Sequence, residues 1–328
     1  MKLASLKNKR DGKLVVVSQD LKFMATTESI VPTLQAGLDA WEDTASELEK
    51  LYEKLNSREI LGSPFIPRLC AAPLPRAFHW ADGSAYLNHI ELVRKARGAE
   101  LPESFLEEPL IYQGGSDILL GPHDEISVIN EDWGIDLEAE IAVITGDVPM
   151  GISAETAPNH ILLIMLANDI SLRHLIPREL DKGFGFYQSK PPTAFSPVAV
   201  TPNTLGNKWN GRKLKYPVYA SINDKLIGNP DADTDMNFDF GQLIAHAAKT
   251  RPLGAGTIIG SGTISNRDPT RGSTCLAEMR TIEKIKNGKP KTPFLKFGDT
   301  IRIEVFDENN QTVFGSIEQT VTKFEANN

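Results

Sequence analysis

An alternating run of acidic and apolar residues is the most informative local feature of this sequence. It reads Asp136-Leu-Glu138-Ala-Glu140-Ile-Ala-Val-Ile. A strand directs successive side chains to opposite faces, so Glu138 and Glu140 are predicted to share one face and the intervening apolar residues the other. Like charges at this spacing repel, and a bound divalent cation would reverse that sign. The alternative interpretation is a solvated face of an edge strand.

Further residues able to do chemistry lie on both sides of this run. Asp82 is followed by His89 in the segment His79-Trp-Ala-Asp-Gly-Ser-Ala-Tyr-Leu-Asn-His. An aspartate can supply a hard oxygen ligand, and a histidine can act as a general base. Asn168-Asp169-Ile-Ser-Leu-Arg173 directly follows an apolar run, which places a carboxylate and a guanidinium at the end of a buried element. The alternatives are a structural histidine and an ordinary ion pair at the end of a helix or strand.

Two turn-like segments carry hydrogen-bond donors. They are Lys190-Pro-Pro-Thr193 and Ser261-Gly-Thr263-Ile-Ser265. Donors in such turns could hold a carboxylate or an oxyanion. The sequence contains no P-loop, no H-E-x-x-H and no G-x-S-x-G motif.

The first part of the chain is predicted to form a hairpin followed by helical structure. Met1 to Thr26 favours a hairpin, with a strand starting at Lys13 and a turn at Asp11-Gly12. From Thr33 to Leu55 apolar residues recur three or four positions apart, which predicts a helix. Several prolines then interrupt the pattern. We therefore predict a small N-terminal domain over residues 1–70 and a larger domain over residues 71–328.

The larger domain is predicted to be rich in β-structure. Tyr216 to Gly228 favours a hairpin around Asn223-Asp224, and Ile301 to Phe306 alternates apolar and polar residues before a turn. Asn237 to Thr250 is predicted to form a helix. Because the regular strand–helix alternation of a doubly wound sheet is missing, the predicted fold class is β-rich α+β.

Composition limits the classes of function. The chain has 328 residues, of which 41% are hydrophobic, enough to bury a large core. Its longest apolar stretch, Ile161 to Ala167, is too short for a membrane span, and Met1 to Lys13 is too polar for a signal peptide, so we expect a cytoplasmic protein without a membrane partner. A net charge of −8 argues against nucleic acid as a partner but leaves an anionic substrate open. Cys70 and Cys275 lack zinc-ligand spacing and are predicted to be buried.

Taken together and in this order, these segments resemble the fumarylacetoacetate hydrolase family. The resemblance extends from Asp82 to Glu278, and the order and spacing of the motifs are more specific than any one motif. It implies a mixed β-sandwich roll, a homodimer, and a Mg²⁺ or Ca²⁺ ion, with Mn²⁺ as another suitable metal. The implied metal ligands are Asp82, Glu138, Glu140 and Asp169.

The resemblance also implies catalytic residues. The family histidine that follows the first aspartate by seven residues corresponds to His89, and the glutamate that orients it corresponds to Glu278. Arg173 and Lys190 are implied beside the metal as further catalytic residues, and Thr263 is implied as a substrate contact.

Two further matches imply a carboxylate-binding pair for substrate, Arg97 and Tyr112. The sequence departs from the family at two positions, with Ile176 in place of a glutamine and Ser84 in place of a tyrosine. The oxyanion contacts and the length of the substrate are therefore not carried over from the resemblance.

The implied site suits hydrolysis of a carbon–carbon bond in a 1,3-diketo acid, such as fumarylacetoacetate or an acylpyruvate, in aromatic-compound or tyrosine degradation. Carboxylate ligands favour Mg²⁺ or Ca²⁺ over zinc, and a hard cation can chelate the oxygens of a 1,3-diketone. Water deprotonated by His89 would attack one carbonyl, and the cation would stabilise the departing carbanion as an enolate. Lys190 would stabilise the oxyanion or protonate the leaving carbon. Arg97, Tyr112 and Arg173 would bind the substrate carboxylates.

Two other functions fit parts of the sequence. The first is a 2-keto acid lyase, a hydratase or decarboxylase on the same scaffold. The second is a non-catalytic β scaffold stabilised by a metal. His89 and Glu278 favour hydrolysis, because activation of water requires a base and decarboxylation does not.

Overall fold

The computed structural model describes residues 1–95 and 104–325 of the chain. In these residues the strands are β1 (Lys2–Leu6), β2 (Lys13–Val17), β3 (Phe23–Thr26), β4 (Ser63–Pro64), β5 (Trp80–Gly83), β6 (Ile111–Gly114), β7 (Ile126–Val128), β8 (Ile135–Asp136), β9 (Ala139–Thr145), β10 (Ile161–Asn168), β11 (Ser171–Leu172), β12 (Ala194–Phe195), β13 (Ala199–Val200), β14 (Tyr219–Ile222), β15 (Lys225–Gly228), β16 (Ile258–Gly260), β17 (Thr300–Glu304) and β18 (Ile317–Lys323). The α-helices are α1 (Leu34–Asp39), α2 (Trp41–Asn56), α3 (Leu87–Lys95), α4 (Ser104–Glu107), α5 (Ile176–Leu180), α6 (Phe240–Ala247) and α7 (Leu276–Asn287).

One large sheet runs through both predicted domains. Its strand order is β4-β3-β2-β1-β13-β10-β9-β16-β5-β6, with β12 paired to β10 beside this path. Strand β1 pairs antiparallel with β13, which places Lys2 opposite Val200. The N-terminal strands therefore extend the sheet of the larger domain, and the proposed boundary near residue 70 divides the chain without dividing the sheet.

Both faces of the central strand β9 are buried. Ile141 and Val143 belong to a core shared with the five-stranded sheet β15-β14-β17-β18-β7, whereas Ala142 and Ile144 belong to a core shared with α1 and α2. Strand β9 lies between β10 and β16 in the sheet. The interpretation of the acidic run as a solvated edge strand is therefore wrong.

Several local predictions are confirmed. Strands β1 and β2 form the N-terminal hairpin, and β14 and β15 form the second one. Asn223 and Asp224 at the tip of the second hairpin have φ values of 50° and 61°, the left-handed conformation that such a two-residue turn requires. Cys70 and Cys275 are both buried and unpaired.

The helices are predicted less well. The helix expected from Thr33 to Leu55 is broken at Ala40, whose backbone has φ −125° and ψ 37°. Helix α6 is shorter than predicted because Asp239 and Gln242 form a capping box that fixes its start. Helices α3 and α7 were not predicted as helices. Among the described residues no helix has both the length and the apolar character needed to cross a membrane.

Candidate active site

Three carboxylates converge where neighbouring strands of the large sheet end. Asp82 lies on β5, Glu140 on β9, and Asp169 directly follows β10. Gly260 on β16 pairs with Asp82 in the parallel ladder and lies between β5 and β9, so the register brings the acids together. The carboxylate oxygens of Asp82, Glu140 and Asp169 lie within 4.8 Å of one another, and the residues are 6%, 0% and 0% exposed.

The absence of a side chain at Gly260 keeps space for this group. A Cβ atom at Gly260 would lie 2.2 Å from Asp82 Oδ1 and 3.0 Å from Glu140 Oε2. Any larger residue would therefore displace the carboxylates that the strand register brings together.

The charges of this group are only partly compensated by the described residues, where Lys190 forms a salt bridge with Asp169 but none with Asp82 or Glu140. Neither carboxylate oxygen of Glu140 has a hydrogen-bond partner there, although the residue is fully buried. Burial, followed by the carboxylates of Asp82 and Asp169, raises the pKa of Glu140 well above its usual range. Burial and the Asp169 carboxylate do the same to the pKa of Asp82. Unpartnered hard oxygens in this arrangement fit a divalent cation of the Mg²⁺, Ca²⁺ or Mn²⁺ type, which would remove the repulsion.

Among the described residues, Asp169 accepts more hydrogen bonds than Asp82 or Glu140. Tyr112 donates its hydroxyl to both Asp169 oxygens at 2.8 and 2.9 Å, and Thr193 donates to Oδ1 at 2.7 Å. Lys190 Nζ lies 2.5 Å from Oδ2. Donors of the 190–193 segment thus hold a carboxylate of the protein itself, and their contact with a substrate stays a prediction. The hydroxyl of Tyr112, which was expected to bind substrate, is directed at Asp169 instead.

Glu138, unlike Glu140, is hydrogen-bonded to cationic side chains. Arg173 Nη2 donates to Oε1 at 2.7 Å, and Lys190 Nζ donates to Oε2 at 2.6 Å. Burial opposes ionisation of Glu138, yet Arg173, Lys190 and His89 together hold its pKa well below the usual range. The group of three close carboxylates does not include Glu138, whose role as a metal ligand stays a prediction.

Lys190 has no donor left for a substrate in this arrangement. An ammonium group has three N–H donors. They contact Glu138, Asp169 and, at 2.8 Å, the hydroxyl of Ser171. A direct role of Lys190 toward an oxyanion or a leaving carbon would require one of these contacts to break.

A histidine–glutamate pair lies beside this network. His89 on α3 and Glu278 on α7 are joined by a hydrogen bond of 3.1 Å at His89 Nδ1, and Ser273 donates to the other Glu278 oxygen at 3.1 Å. Because a carboxylate can only accept hydrogen bonds, the contact places the imidazole proton on Nδ1. The second ring nitrogen, Nε2, is then able to accept a proton. The His89 side chain is 15% exposed and that of Glu278 only 1%.

Family models match both parts of the chain. A model of the fumarylacetoacetate (FAA) hydrolase C-terminal family matches residues 78–322, and a model of the fumarylacetoacetase N-terminal domain 2 matches residues 1–76. The chain belongs to the fumarylacetoacetate hydrolase family.

Family members with similar sequences include oxaloacetate tautomerases. The tautomerase YisK of Bacillus subtilis is 32% identical over 62% of this chain and 63% of its own length. The mitochondrial oxaloacetate tautomerase fahd2 of Xenopus laevis is 26% identical over 61% of this chain and 55% of its own length. The chain thus spans less than two thirds of these curated relatives.

Solved structures of the family share the whole fold, including the N-terminal part. Fumarylacetoacetate hydrolase from Exiguobacterium antarcticum superposes with a TM-score of 0.68 at 16% identity, covering 99% of this chain and 100% of that one. Maleylpyruvate hydrolase from Sphingobium sp. SYK-6, solved with manganese (II) and pyruvate, gives a TM-score of 0.65 at 16% identity and the same coverage. The predicted mixed β fold of the family is confirmed, and the protein is an enzyme of this superfamily.

The remaining predicted site residues have different outcomes. Thr263 is buried in the turn where Gly262 N–H donates to Asp82 Oδ1 at 3.1 Å, and its contact with substrate stays a prediction. Arg97 lies outside the described residues. Ile176 is the first residue of α5 and is 8% exposed.

Two residues of the site were missed as functional candidates. In the sequence Asp136 stands out only as part of the acidic alternation, and no motif marks Ser273. Asp136 accepts hydrogen bonds from Leu276, which lies 140 residues away in the chain. A carboxylate so close to Glu138 and Glu140 was a usable signal, but its partner could not be read from the sequence.

Proposed function

We propose that this enzyme hydrolyses a carbon–carbon bond in a small acidic 1,3-diketone, such as fumarylacetoacetate or an acylpyruvate, with a divalent cation held by Asp82, Glu140 and Asp169. The observation that carries the proposal is the presence in one site of three close carboxylates, of which Glu140 has no hydrogen-bond partner among the described residues, and a histidine–glutamate pair. The two parts of the site are connected through Asp136, which accepts hydrogen bonds from Arg173, the partner of Glu138, and from Leu276 in the helix that carries Glu278.

The protein residues supply the proton transfer and the orientation. Glu278 fixes the imidazole by accepting Nδ1–H, so Nε2 of His89 takes the proton of the attacking water. Ser273 fixes Glu278 in turn. The cation, when bound, acts as a Lewis acid toward the diketone oxygens. Glu138, Lys190 and Arg173 hold the surrounding charges in place.

Oxaloacetate tautomerisation is the second candidate function. It is favoured by the names of the relatives, among them the Bacillus subtilis protein at 32% identity. Tautomerisation moves a proton between carbon and oxygen, which His89 could also perform. The two functions differ in the need for a water molecule, since a tautomerase does not consume one.

Steady-state kinetics on a substrate panel tests the proposal. Protein stripped with EDTA should be inactive, and Mg²⁺, Mn²⁺ or Ca²⁺ should restore release of fumarate and acetoacetate from fumarylacetoacetate. His89→Ala and Glu278→Gln should lower kcat by about 10²-fold or more while leaving affinity for Mn²⁺ nearly unchanged. Full turnover by metal-free protein, or a kcat/KM for oxaloacetate far above that for every diketo acid, would sink the hydrolase assignment.

The cellular and quaternary context is also proposed by resemblance to the family. We propose a homodimer in the cytoplasm that acts on a small diketo acid. Size-exclusion chromatography with light scattering tests the dimer, because a monomeric mass would contradict it.

A further inference from the structure

Asp136 joins the two halves of the site. Its side chain is fully buried at the end of β8. One oxygen accepts the backbone N–H of Leu276 at 2.7 Å, and the other accepts that of Ala277 at 2.9 Å. The second oxygen also accepts Arg173 Nε at 2.8 Å. The Asp136 carboxylate therefore contacts the start of helix α7 and also Arg173, one of the two cationic partners of Glu138.

Both sets of contacts lead directly to site residues. Leu276 and Ala277 are the first two residues of α7, and Glu278 follows them in the same first turn. Arg173, whose Nε donates to Asp136, also donates through Nη2 to Glu138 Oε1 at 2.7 Å. A negative charge at a helix N-terminus is favourable because free N–H groups and the helix dipole point toward it. The single buried carboxylate of Asp136 thus accepts two free N–H groups at the start of helix α7 and also pairs with Arg173.

We propose that Asp136 is a positioning residue that fixes helix α7, and with it the Glu278–His89 pair, relative to Arg173 and Glu138. This inference rests on the proposed function in so far as the pair is the base of the reaction. Displacement of a catalytic group by about 1 Å can lower a rate by about 10²-fold. Because Asp136 contacts both helix α7 and Arg173, it limits the displacement of Glu278 and His89 relative to Glu138.

Replacement by asparagine separates the two contacts. An asparagine has one accepting oxygen and one NH₂ group. If the oxygen keeps Arg173 and Ala277, the NH₂ group faces the N–H of Leu276 and that bond is lost. We expect Asp136→Asn to lower kcat per folded site by about 10- to 100-fold while KM changes by less than about threefold.

Asp239→Asn is the matched control. Asp239 also caps a helix, accepting Gln242 N–H at 3.0 Å at the start of α6, and is paired with Arg212 at 3.2 Å. Its described side-chain contacts include no residue of the site. The control should show a comparable loss of stability with kcat per folded molecule unchanged.

A double-mutant cycle and hydrogen exchange distinguish positioning from a general structural role. In the Glu278→Gln background the kcat effect of Asp136→Asn should largely disappear, because both substitutions act through the same pair. The amides of residues 276–278 should exchange faster in Asp136→Asn than in wild type, and at the wild-type rate in Asp239→Asn.

Two outcomes would overturn the inference. One is an unchanged kcat per folded site in Asp136→Asn, and the other is full additivity with Glu278→Gln. If the asparagine variant does not fold, Asp136→Ser, which removes the charge without placing NH₂ against the helix, carries the same test. If wild type turns over neither a diketo acid nor oxaloacetate, the proposed function fails, whereas the exchange measurement still tests the anchor.

Discussion

Glu138 and Glu140 are two residues apart and both buried, but they lie in opposite electrostatic surroundings. Glu138 has a cationic donor on each oxygen, Arg173 on one and Lys190 on the other. Glu140 has no donor among the described residues and faces two further carboxylates, Asp82 and Asp169. The pKa of the first is lowered well below the usual range and the pKa of the second is raised well above it.

The difference shows that one sequence pattern can produce two kinds of site. Glu140 lies within β9, where pairing with β10 and β16 brings other acids beside it. Glu138 precedes β9 and accepts hydrogen bonds from Arg173, which follows β11, and from Lys190, which lies between α5 and β12. The paired carboxylate is stabilised by the protein alone, whereas the unpaired group becomes favourable only when a cation binds.

The largest expected effect is on metal affinity. Glu140→Gln removes one charged ligand from the unpaired group, so we expect the affinity for Mn²⁺ to fall by about 10²-fold or more. Isothermal titration calorimetry measures it. Glu155→Gln, at an exposed position, is the control and should bind as wild type does. Equal affinities in all three proteins would mean that Glu140 is not a ligand.

The same substitution at Glu138 should instead lower the free energy of unfolding. Glu138→Gln leaves Arg173 and Lys190 with one charged partner fewer in a buried site, and we expect a loss of about 3 kcal/mol in the free energy of unfolding. Urea denaturation of metal-free protein measures this. An unchanged midpoint would show that Asp136 and Asp169 alone compensate the two cations.

Sequence patterns predicted the side-chain alternation but not the identity of the partners. The period of the acidic run predicted that Glu138 and Glu140 share a side, and the spacing from Asp82 to His89 implied the base. The strand order β10-β9-β16-β5 could not be read from the sequence, because strand order depends on contacts between distant segments. The assignment of Glu140 as unpaired and Glu138 as paired therefore required the structure.

Short amphipathic segments were the weakest part of the prediction. Helix α7 carries Glu278 and begins at Leu276, but its start is fixed by Cys275 as N-cap and by the distant Asp136. Helix α3, which carries His89, has a mixed polar sequence over nine residues. Tertiary contacts rather than local propensity decide such helices.

A smaller effect of the unpaired group should appear as a pH dependence. An acid whose pKa is raised in the folded state contributes stability below its unfolded pKa, and this contribution is lost as the pH rises through the folded pKa. The pKa values of Asp82 and Glu140 are both raised from ordinary values of 3.8 and 4.5. Metal-free wild type should therefore lose stability relative to Glu140→Gln as the pH rises above 4.5, the ordinary pKa of a glutamate.

Thermal and urea unfolding at several pH values measure this difference. Saturating Mn²⁺ should remove it, since a bound cation favours the ionised carboxylates. A difference between the two proteins that stays constant with pH would contradict the raised pKa of Glu140.

The smallest predicted effect compares a paired and an unpaired hydroxyl near the same strands. Thr193 Oγ1 donates to Asp169 at 2.7 Å and accepts the indole N–H of Trp80 at 3.1 Å. Thr145 Oγ1 on β9 is equally buried but has no hydrogen-bond partner among the described residues. Thr193→Val leaves a buried N–H unsatisfied and should lower the free energy of unfolding by about 1 kcal/mol, whereas Thr145→Val removes an unpaired polar atom and should be neutral or slightly stabilising. Parallel urea denaturation curves decide the matter, because equal losses in both variants would mean that the side-chain change itself, and not the hydrogen bond, sets the stability.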